Sequence, residues 1–398
     1  MKQTAISPKA IILATIFLDV VGIGLIIPVL PLYVESFGVS HTVVTALFAV
    51  FALFSFISAP VLGSLSDRKG RRPILLVSLL SSAVGWLIFA FSHSIVGLFI
   101  GRIIDGAAAG NISTAQSYLI DIAKDDTERS HNLGLIGAVF GIAFIIGPLL
   151  GGVLSAIYPT LPFIVVGVLA SCNTVLAYLF LPETHHHRNP EKMSLNPLAP
   201  IIRAARSKGL VPLYVVWFLF GVAISANQSI FSLYTHDVFG WGVLAAGMVM
   251  ALVGIIISIN QAVLIKRVWL NYFSATQLNL WVLLPFAFGY MVMGFPYKIF
   301  FIIGIFITAF GQSIYRVTMT SQVVAVTAKT HQGEVMGILA ALMSLSMIVG
   351  PLLGGLVYGY YLSAPFYLST LLLLIAFGVF FVTNKKTHSS TVMNGGVR

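Results

Sequence analysis

Gly63-Ser64-Leu65-Ser66-Asp67-Arg68-Lys69-Gly70-Arg71-Arg72-Pro73 carries four of the chain's 22 Lys+Arg residues and one of its 12 Asp+Glu residues. On either side lie about twenty residues almost free of charge. A helical run of that length crosses roughly 30 Å of hydrocarbon. The stretch therefore reads as a tight, strongly basic hairpin joining two membrane-spanning helices.

Working outward, hydrophobic residues make up 58% of the 398 positions and charged residues 9%, against about 25% charged in a soluble domain. No soluble core absorbs that much apolar surface, so the chain is expected to be a polytopic, all-α membrane protein. The net charge of +10 does not point to nucleic acid, because the basic residues sit in short interhelical loops. The single cysteine, Cys172, lies in an apolar run and forms no intrachain disulfide. The first apolar run, 10–34, contains Asp19, Pro28 and Pro31. It exceeds the roughly 7–15 residues of a signal-peptide core, so it reads as a retained first helix.

Twelve apolar runs fall at about 10–34, 42–65, 73–92, 95–121, 132–157, 161–181, 210–236, 241–265, 272–294, 297–326, 335–360 and 364–384. Basic residues alternate onto one side, from Lys2, Lys9 and the hairpin through Lys124, Arg129, Arg188, Lys192, Arg203, Arg206, Lys208, Lys266, Arg267 and Lys329 to Lys385, Lys386 and Arg398. The opposite loops hold only Lys298. Both termini and the central loop are therefore expected in the cytoplasm. The expected organisation is a six-helix bundle over 1–181, a cytoplasmic loop over 182–209, a second bundle over 210–384 and a cytoplasmic tail over 385–398. A short amphipathic surface helix is expected near 198–205. His185, His186 and His187 read as a solvated loop rather than a metal site, since no second ligand cluster accompanies them.

The halves repeat. Gly147-Pro148-Leu149-Leu150-Gly151-Gly152 recurs 203 residues later (350 − 147) as Gly350-Pro351-Leu352-Leu353-Gly354-Gly355. Gly134 matches Gly337 and Pro162-Phe163 matches Pro365-Phe366 at the same offset. A duplicated unit with an even number of spans keeps both copies in one topology, with transport sites near the midplane between them. The hairpin's twin, Ile265-Lys266-Arg267-Val268-Trp269-Leu270, keeps basic charge but loses the Gly, Asp and Gly of 63–70.

Residues 63–72 resemble the signature loop of the major facilitator superfamily. Gly147–Gly152 resembles the fifth-helix motif of its antiporter branches. Asp19 through Pro31 is similar to the first-helix signature of the twelve-helix drug–proton antiporters, close to the tetracycline-efflux type. Arg102-Ile103-Ile104-Asp105-Gly106 with Gly110 resembles the fourth-helix motif tied to proton coupling. The resemblance implies a two-repeat major facilitator fold over about 8–384. It also implies a cytoplasmic gate in which Asp67 meets the start of helix 11 near Gly333–Gly337 and Arg71 pairs with Asp121. Gly63, Arg68, Gly70 and Arg72 complete that gate. Gly63 is expected where helix 2 approaches a neighbour closely, and Gly70 where the chain turns. The alternative, a cluster that only sets topology, needs neither Asp67 nor the glycines.

Ionisable residues inside a bilayer are costly and usually functional. Asp19, Arg102 and Asp105 are the proton-coupling candidates, with Arg102 tuning the two acids; mutual neutralisation of Arg102 and Asp105 is the competing reading. Read as one helix, 95–121 turns Arg102, Asp105, Ser113 and Gln116 onto one face. Gln116, Trp217, Gln228, Phe231, Gln312, Tyr315 and Arg316 are the candidate cavity residues, an apolar and aromatic set with a few polar groups; packing is the competing role for each aromatic. Gly147-Pro148 and Gly350-Pro351 are expected to kink helices 5 and 11, with Gly151, Gly152, Gly354 and Gly355 allowing close packing. Tetracycline exporters carry an acid in helix 3 where Gly85 stands here, and related multidrug pumps one in helix 7 where Gln228 stands. Arg316 then lacks an acid in its own half, and is expected either to face Asp19 or Asp105 across the cavity or to bind an anionic or zwitterionic solute.

The expected function is proton-coupled export of a small amphipathic solute or drug by alternating access; the alternative is a proton-coupled importer or uniporter of a metabolite such as a sugar or organic anion. The expected partners are solute, protons and the lipid bilayer, with the chain a monomer in the cell membrane. No Gly-Lys-Ser/Thr phosphate loop and no nucleophile–base set is readable, so neither a cofactor nor an enzyme activity is expected.

Overall fold

A computed structural model of the chain describes residues 7–107, 109–184, 196–207, 209–328 and 331–394. His185, His186, His187, Arg188, Lys192, Lys208 and Lys329 lie outside the described residues. All regular structure among the described residues is helical. Among the described residues, twelve helical stretches are long and apolar enough to cross a membrane.

In the first half these are α1 (Pro8–Glu35), α2 (His41–Lys69), α3 (Arg71–Phe91), the pair α4 (Ile95–Ala107) and α5 (Asn111–Asp121), α6 (Asp126–Ile157) and α7 (Leu161–Phe180). A short helix, α8 (Ala199–Arg206), follows the central loop, where an amphipathic helix was expected. The second half holds α9 (Val211–Phe239), α10 (Val243–Ile259) and its continuation to α11 (Leu270–Tyr272), α12 (Ala275–Trp281) with α13 (Leu283–Met293), α14 (Lys298–Ala325), α15 (Gln332–Tyr358) and α16 (Ala364–Asn394). The helix α16 runs past its apolar stretch, Ala364–Thr383, into the region expected to be a tail.

Two spans depart from the simple pattern. The fourth divides between Ala107 and Asn111, inside the Gly106–Gly110 run, where Gly110 takes non-helical dihedrals (φ −100°, ψ 0°). The single polar face expected over 95–121 is therefore broken: Arg102 and Asp105 lie before the break, Ser113 and Gln116 after it. The eighth span winds into a π-helix over Asn260–Trp269. With i→i+5 bonding roughly 4.4 residues fill a turn, so nine residues close about two turns and bring Asn260 and Trp269 to one side. At 3.6 residues per turn they would lie about half a turn apart. Trp269 Nε1 donates to Asn260 Oδ1 at 2.8 Å, and the fully buried Asn260 amide donates to Ser313 Oγ on α14.

By packing, the chain forms two compact units, Met1–Pro197 with Phe231–Ile255, and Leu198–Ile230 with Ile256–Arg398. The core of the first unit gathers Ile12, Ile16 and Val20 of α1, Leu75 and Leu79 of α3, Tyr118 of α5 and Ile136 of α6. The fifth-helix motif is a close-contact seam here. A Cβ on Gly147 would lie 2.7 Å from Val21 O and one on Gly151 3.0 Å from Leu25 O, both on α1. On its other side a Cβ on Gly152 would lie 3.0 Å from Leu244 Cα of α10. The seam explains why α10 packs with this unit. In the second unit the repeated motif is used alike: a Cβ on Gly350 would fall 2.9 Å from Val222 O and one on Gly354 2.8 Å from Ala226 O, both on α9. Helices α6 and α15 pass through Pro148 and Pro351 as single helices.

The second unit is also pinned by interior polar groups. Asn279 of α12, fully buried, donates to Gln322 Oε1 at 2.5 Å and accepts from Thr318 Oγ1 at 2.5 Å, both on α14. Replacing Asn260 by alanine leaves Trp269 Nε1 without its acceptor and Ser313 without its donor. We expect Asn260→Ala to cost on the order of 1–2 kcal/mol and to lower the melting temperature in detergent, measured by tryptophan fluorescence. An unchanged melting temperature would mean that these bonds do not hold the π-helix.

Candidate functional site

The first-unit interior holds a charged centre built by α1, α3, α4 and α5. Arg102 and Asp105 lie one turn apart on α4, with Arg102 NH1 3.6 Å from Asp105 Oδ2. They are 5% and 8% exposed, so bulk water solvates neither charge fully. Three rings take its place around the guanidinium, with centroids at 4.9 Å (Trp86), 5.1 Å (Phe89) and 5.4 Å (Phe51). Such contacts contribute roughly 2 kcal/mol or more where water is excluded. Arg102 Nε has no hydrogen-bond partner among the described residues. Asp105 accepts a hydrogen bond from Ser82 and interacts electrostatically with Asp19 of α1. Asn111, which opens α5, donates to Asp19 Oδ1 at 3.1 Å. The break in the fourth span thus serves the centre: the segment before it carries Arg102 and Asp105, and the one after it delivers Asn111.

This closeness depends on Gly85. A Cβ there would stand 2.8 Å from Asp105 Cβ and 2.9 Å from Gly101 O. The helix 3 position that bears an acid in tetracycline exporters is, in this chain, the point at which α3 touches the backbone of α4.

The basic hairpin forms a second cluster. Arg71 pairs with Asp67 (NH1–Oδ1 2.5 Å) and with Asp121 at the end of α5 (Nε–Oδ2 3.0 Å), and also donates to Ser66 Oγ at 2.8 Å. Arg72 donates to Tyr178 O at 2.6 Å, whereas Arg68 points outward and is exposed. Gly70 has φ +110°, a conformation that favours glycine. A Cβ on it would collide with the Glu183 carboxylate. That carboxylate accepts from Arg71 N at 2.9 Å and Arg72 N at 3.2 Å, so it satisfies the free N–H groups at the start of α3. Tyr118 Oη donates to Pro182 O at 2.8 Å beside it. The expected crowding at Gly63 is absent, since a Cβ there meets nothing within 4 Å. The chain can reach the turn through Gly70 alone.

The candidate cavity residues separate into two kinds. Trp217, Phe231 and Tyr315 are buried in packing. Trp217 Nε1 donates to Leu339 O at 2.9 Å, and the rings of Trp217 and Tyr315 lie 5.4 and 4.6 Å from Phe220. These aromatic positions face neighbouring helices, so they correct the expectation that the stripes of α9 and α14 line a pocket along their whole length. Gln116, Gln228 and Gln312 are partly exposed and Arg316 is exposed. Arg316 makes no ion pair among the described residues.

Four contact residues of these clusters, Asn111, Glu183, Phe51 and Phe89, were missed in the sequence. Asn111 was readable as a polar residue in an apolar span, and Glu183 as an acid closing the sixth span on the same face as the hairpin. Nothing in the sequence singled out Phe51 and Phe89 from the chain's other aromatic residues.

The sequence profile of the Major Facilitator Superfamily matches residues 12–296 and 268–395. The chain is 32% identical over 354 residues to the class C tetracycline resistance protein of Escherichia coli, covering 87% of this chain and 89% of that protein. It is 25% identical over 374 residues to the quinolone resistance protein NorA of Staphylococcus aureus, covering 94% and 95%. Among solved structures it resembles the human organic anion transporter MFSD10 (TM-score 0.71, 23% identity, 94% of this chain and 98% of that one) and the nucleoside transporter NupG (TM-score 0.78, 12% identity, 96% and 100%). At those identities the likeness is one of fold.

Restoring an acid at the helix 3 position tests the packing at the centre. Gly85→Asp is expected to reduce the yield of monodisperse protein several-fold on size-exclusion chromatography, with Gly85→Ala intermediate. A Gly85→Asp protein as stable as the parent would show that α3 and α4 are not in contact there.

Proposed function

This chain belongs to the Major Facilitator Superfamily, and from that premise we propose that it is a proton-coupled exporter of an amphipathic, drug-sized solute, working by alternating access. The observation that carries the proposal is the set Asp19, Arg102 and Asp105, in which the buried Arg102 and Asp105 pair and Asp19 interacts with Asp105. The set holds one guanidinium and two carboxylates, with Arg102 paired to Asp105, so a single proton on either acid brings it to neutrality. A centre of that kind exchanges one proton each time water reaches it from a different side. Likeness to tetracycline and quinolone resistance proteins over most of the chain supports export of a drug-like solute.

In this reading the hairpin is the cytoplasmic gate. Arg71 gathers Asp67 and Asp121 while Glu183 anchors the start of α3, so the end of the fourth span, which follows from the proton centre through α5, is fixed to the loop that opens and closes. Asp67 then meets the start of helix 11 when the gate shuts, and both termini lie in the cytoplasm. The solute is held near the midplane by Gln116, Gln228, Gln312 and Arg316. The exposed guanidinium of Arg316 selects a solute with a negative or zwitterionic group. The six-helix bundles 1–181 and 210–384 rock about this site, and the monomer is the working unit.

In proteoliposomes with an internal pH dye, an imposed gradient of tetracycline or a quinolone is expected to drive protons in the opposite direction. Co-directional movement of solute and protons would make the chain a symporter. Asp19→Asn is expected to abolish uphill transport, by at least about a hundredfold, while the protein still reaches the membrane and binds solute. Retained uphill transport would remove Asp19 from the coupling role.

A further inference from the structure

Among the described residues, one group of three potential metal ligands has its donor atoms all within 4.8 Å of one another: Glu35, His41 and Asp237. Glu35 and His41 stand six residues apart (41 − 35), and Asp237 lies 196 residues further on (237 − 41). The fold unites them. Glu35 ends α1 and His41 opens α2, joined by a turn in which Gly38 has φ +71° and Ser36 Oγ donates to Tyr33 O at 2.6 Å. That turn holds His41 Nε2 3.7 Å from Glu35 Oε1. Asp237 arrives from the end of α9, which is tied to α1 lower down, where Ser232 Oγ donates to Ile27 O at 3.1 Å. The neighbouring His236 is directed away, its Nδ1 lying 3.2 Å from Trp241 O.

We propose that Glu35, His41 and Asp237 form a binding site for a first-row divalent cation, Zn2+ in particular, that clamps α9 to α1 and α2. The chemistry of the set fits: one imidazole nitrogen and two carboxylate oxygens suit Zn2+, which accepts three protein ligands and leaves a fourth position to water. Bonds of about 2.0–2.2 Å in a tetrahedral arrangement place donor atoms roughly 3.3–3.6 Å apart. His41 and Glu35 are near that spacing, and side chains about one-third exposed have the freedom to close on Asp237. By the alternation of basic loops, all three sit on the side opposite the hairpin. Resting on the transport reading above, a metal bridging α9 to α1 and α2 holds that mouth shut and slows turnover.

The test uses the full-length chain with His185, His186 and His187 each replaced by alanine, so that the zinc uptake measured comes from the proposed site. Isothermal titration with ZnCl2 in detergent is expected to give one site per chain in the micromolar range. His41→Ala, Glu35→Gln and Asp237→Asn are each expected to weaken it at least tenfold, and Zn2+ should raise the melting temperature of the parent but not of Asp237→Asn. In proteoliposomes, external Zn2+ should inhibit the parent and spare Asp237→Asn. Absence of binding, or equal binding by the three variants, overturns the site. Binding without inhibition overturns the clamp. The titration needs no transport, so failure of the export reading leaves the result on the site standing by itself.

Discussion

The structure turns on one constraint: a guanidinium lies inside a bundle built for lipid. Arg102 has a single carboxylate at 3.6 Å and three aromatic faces around it. A buried pair of this kind is weakly stabilising as a whole, yet removing one member costs about 3–5 kcal/mol, because the other charge is stranded. Several local features follow. Gly85 and Gly101 let α3 and α4 touch, which carries Trp86 and Phe89 to the cation. The Gly106–Gly110 run interrupts the fourth span, which sends Asn111 toward Asp19 instead of continuing the face of Asp105.

A second constraint is that lipid offers no hydrophobic force to press helices together, so close approach has to come from small residues. The repeated Gly-Pro-x-x-Gly-Gly motif supplies it, seating α6 on α1 and α15 on α9 through equivalent contacts in the two halves. The helix that carries Asp19 is backed along Val21 to Leu25 by Gly147 and Gly151. The helix bearing the Asp19 carboxylate is thus closely packed, while the hairpin end is joined by ion pairs.

Much of this was legible in the residues. Twelve spans could be counted because lipid tolerates no unsatisfied backbone, so each crossing must be a long apolar helix. Asp19, Arg102 and Asp105 stood out because charge in such a run is costly. The pairing of Arg71 with Asp121 followed from the resemblance of the hairpin. The break at Gly110 was hidden because alanine and glycine are apolar and leave hydropathy unchanged. The sequence alone does not divide the roles of Trp217 and Tyr315, because a helical stripe of aromatic residues looks the same whether it faces a cavity or a neighbouring helix. The position of Glu183 at the end of the sixth span is legible, but its partners are two backbone N–H groups, which no side-chain pattern announces.

In the proposed cycle, one proton shared by Asp19 and Asp105 is given up and regained as solute binds and leaves. Infrared difference spectroscopy on the reconstituted protein reads this directly, since a protonated carboxyl has a carbonyl stretch that the carboxylate lacks. Solute addition is predicted to change that band in the parent and to leave no change in the Asp19→Asn/Asp105→Asn double variant. A solute-induced carboxyl signal that survives in the double variant would place the transported proton on another group.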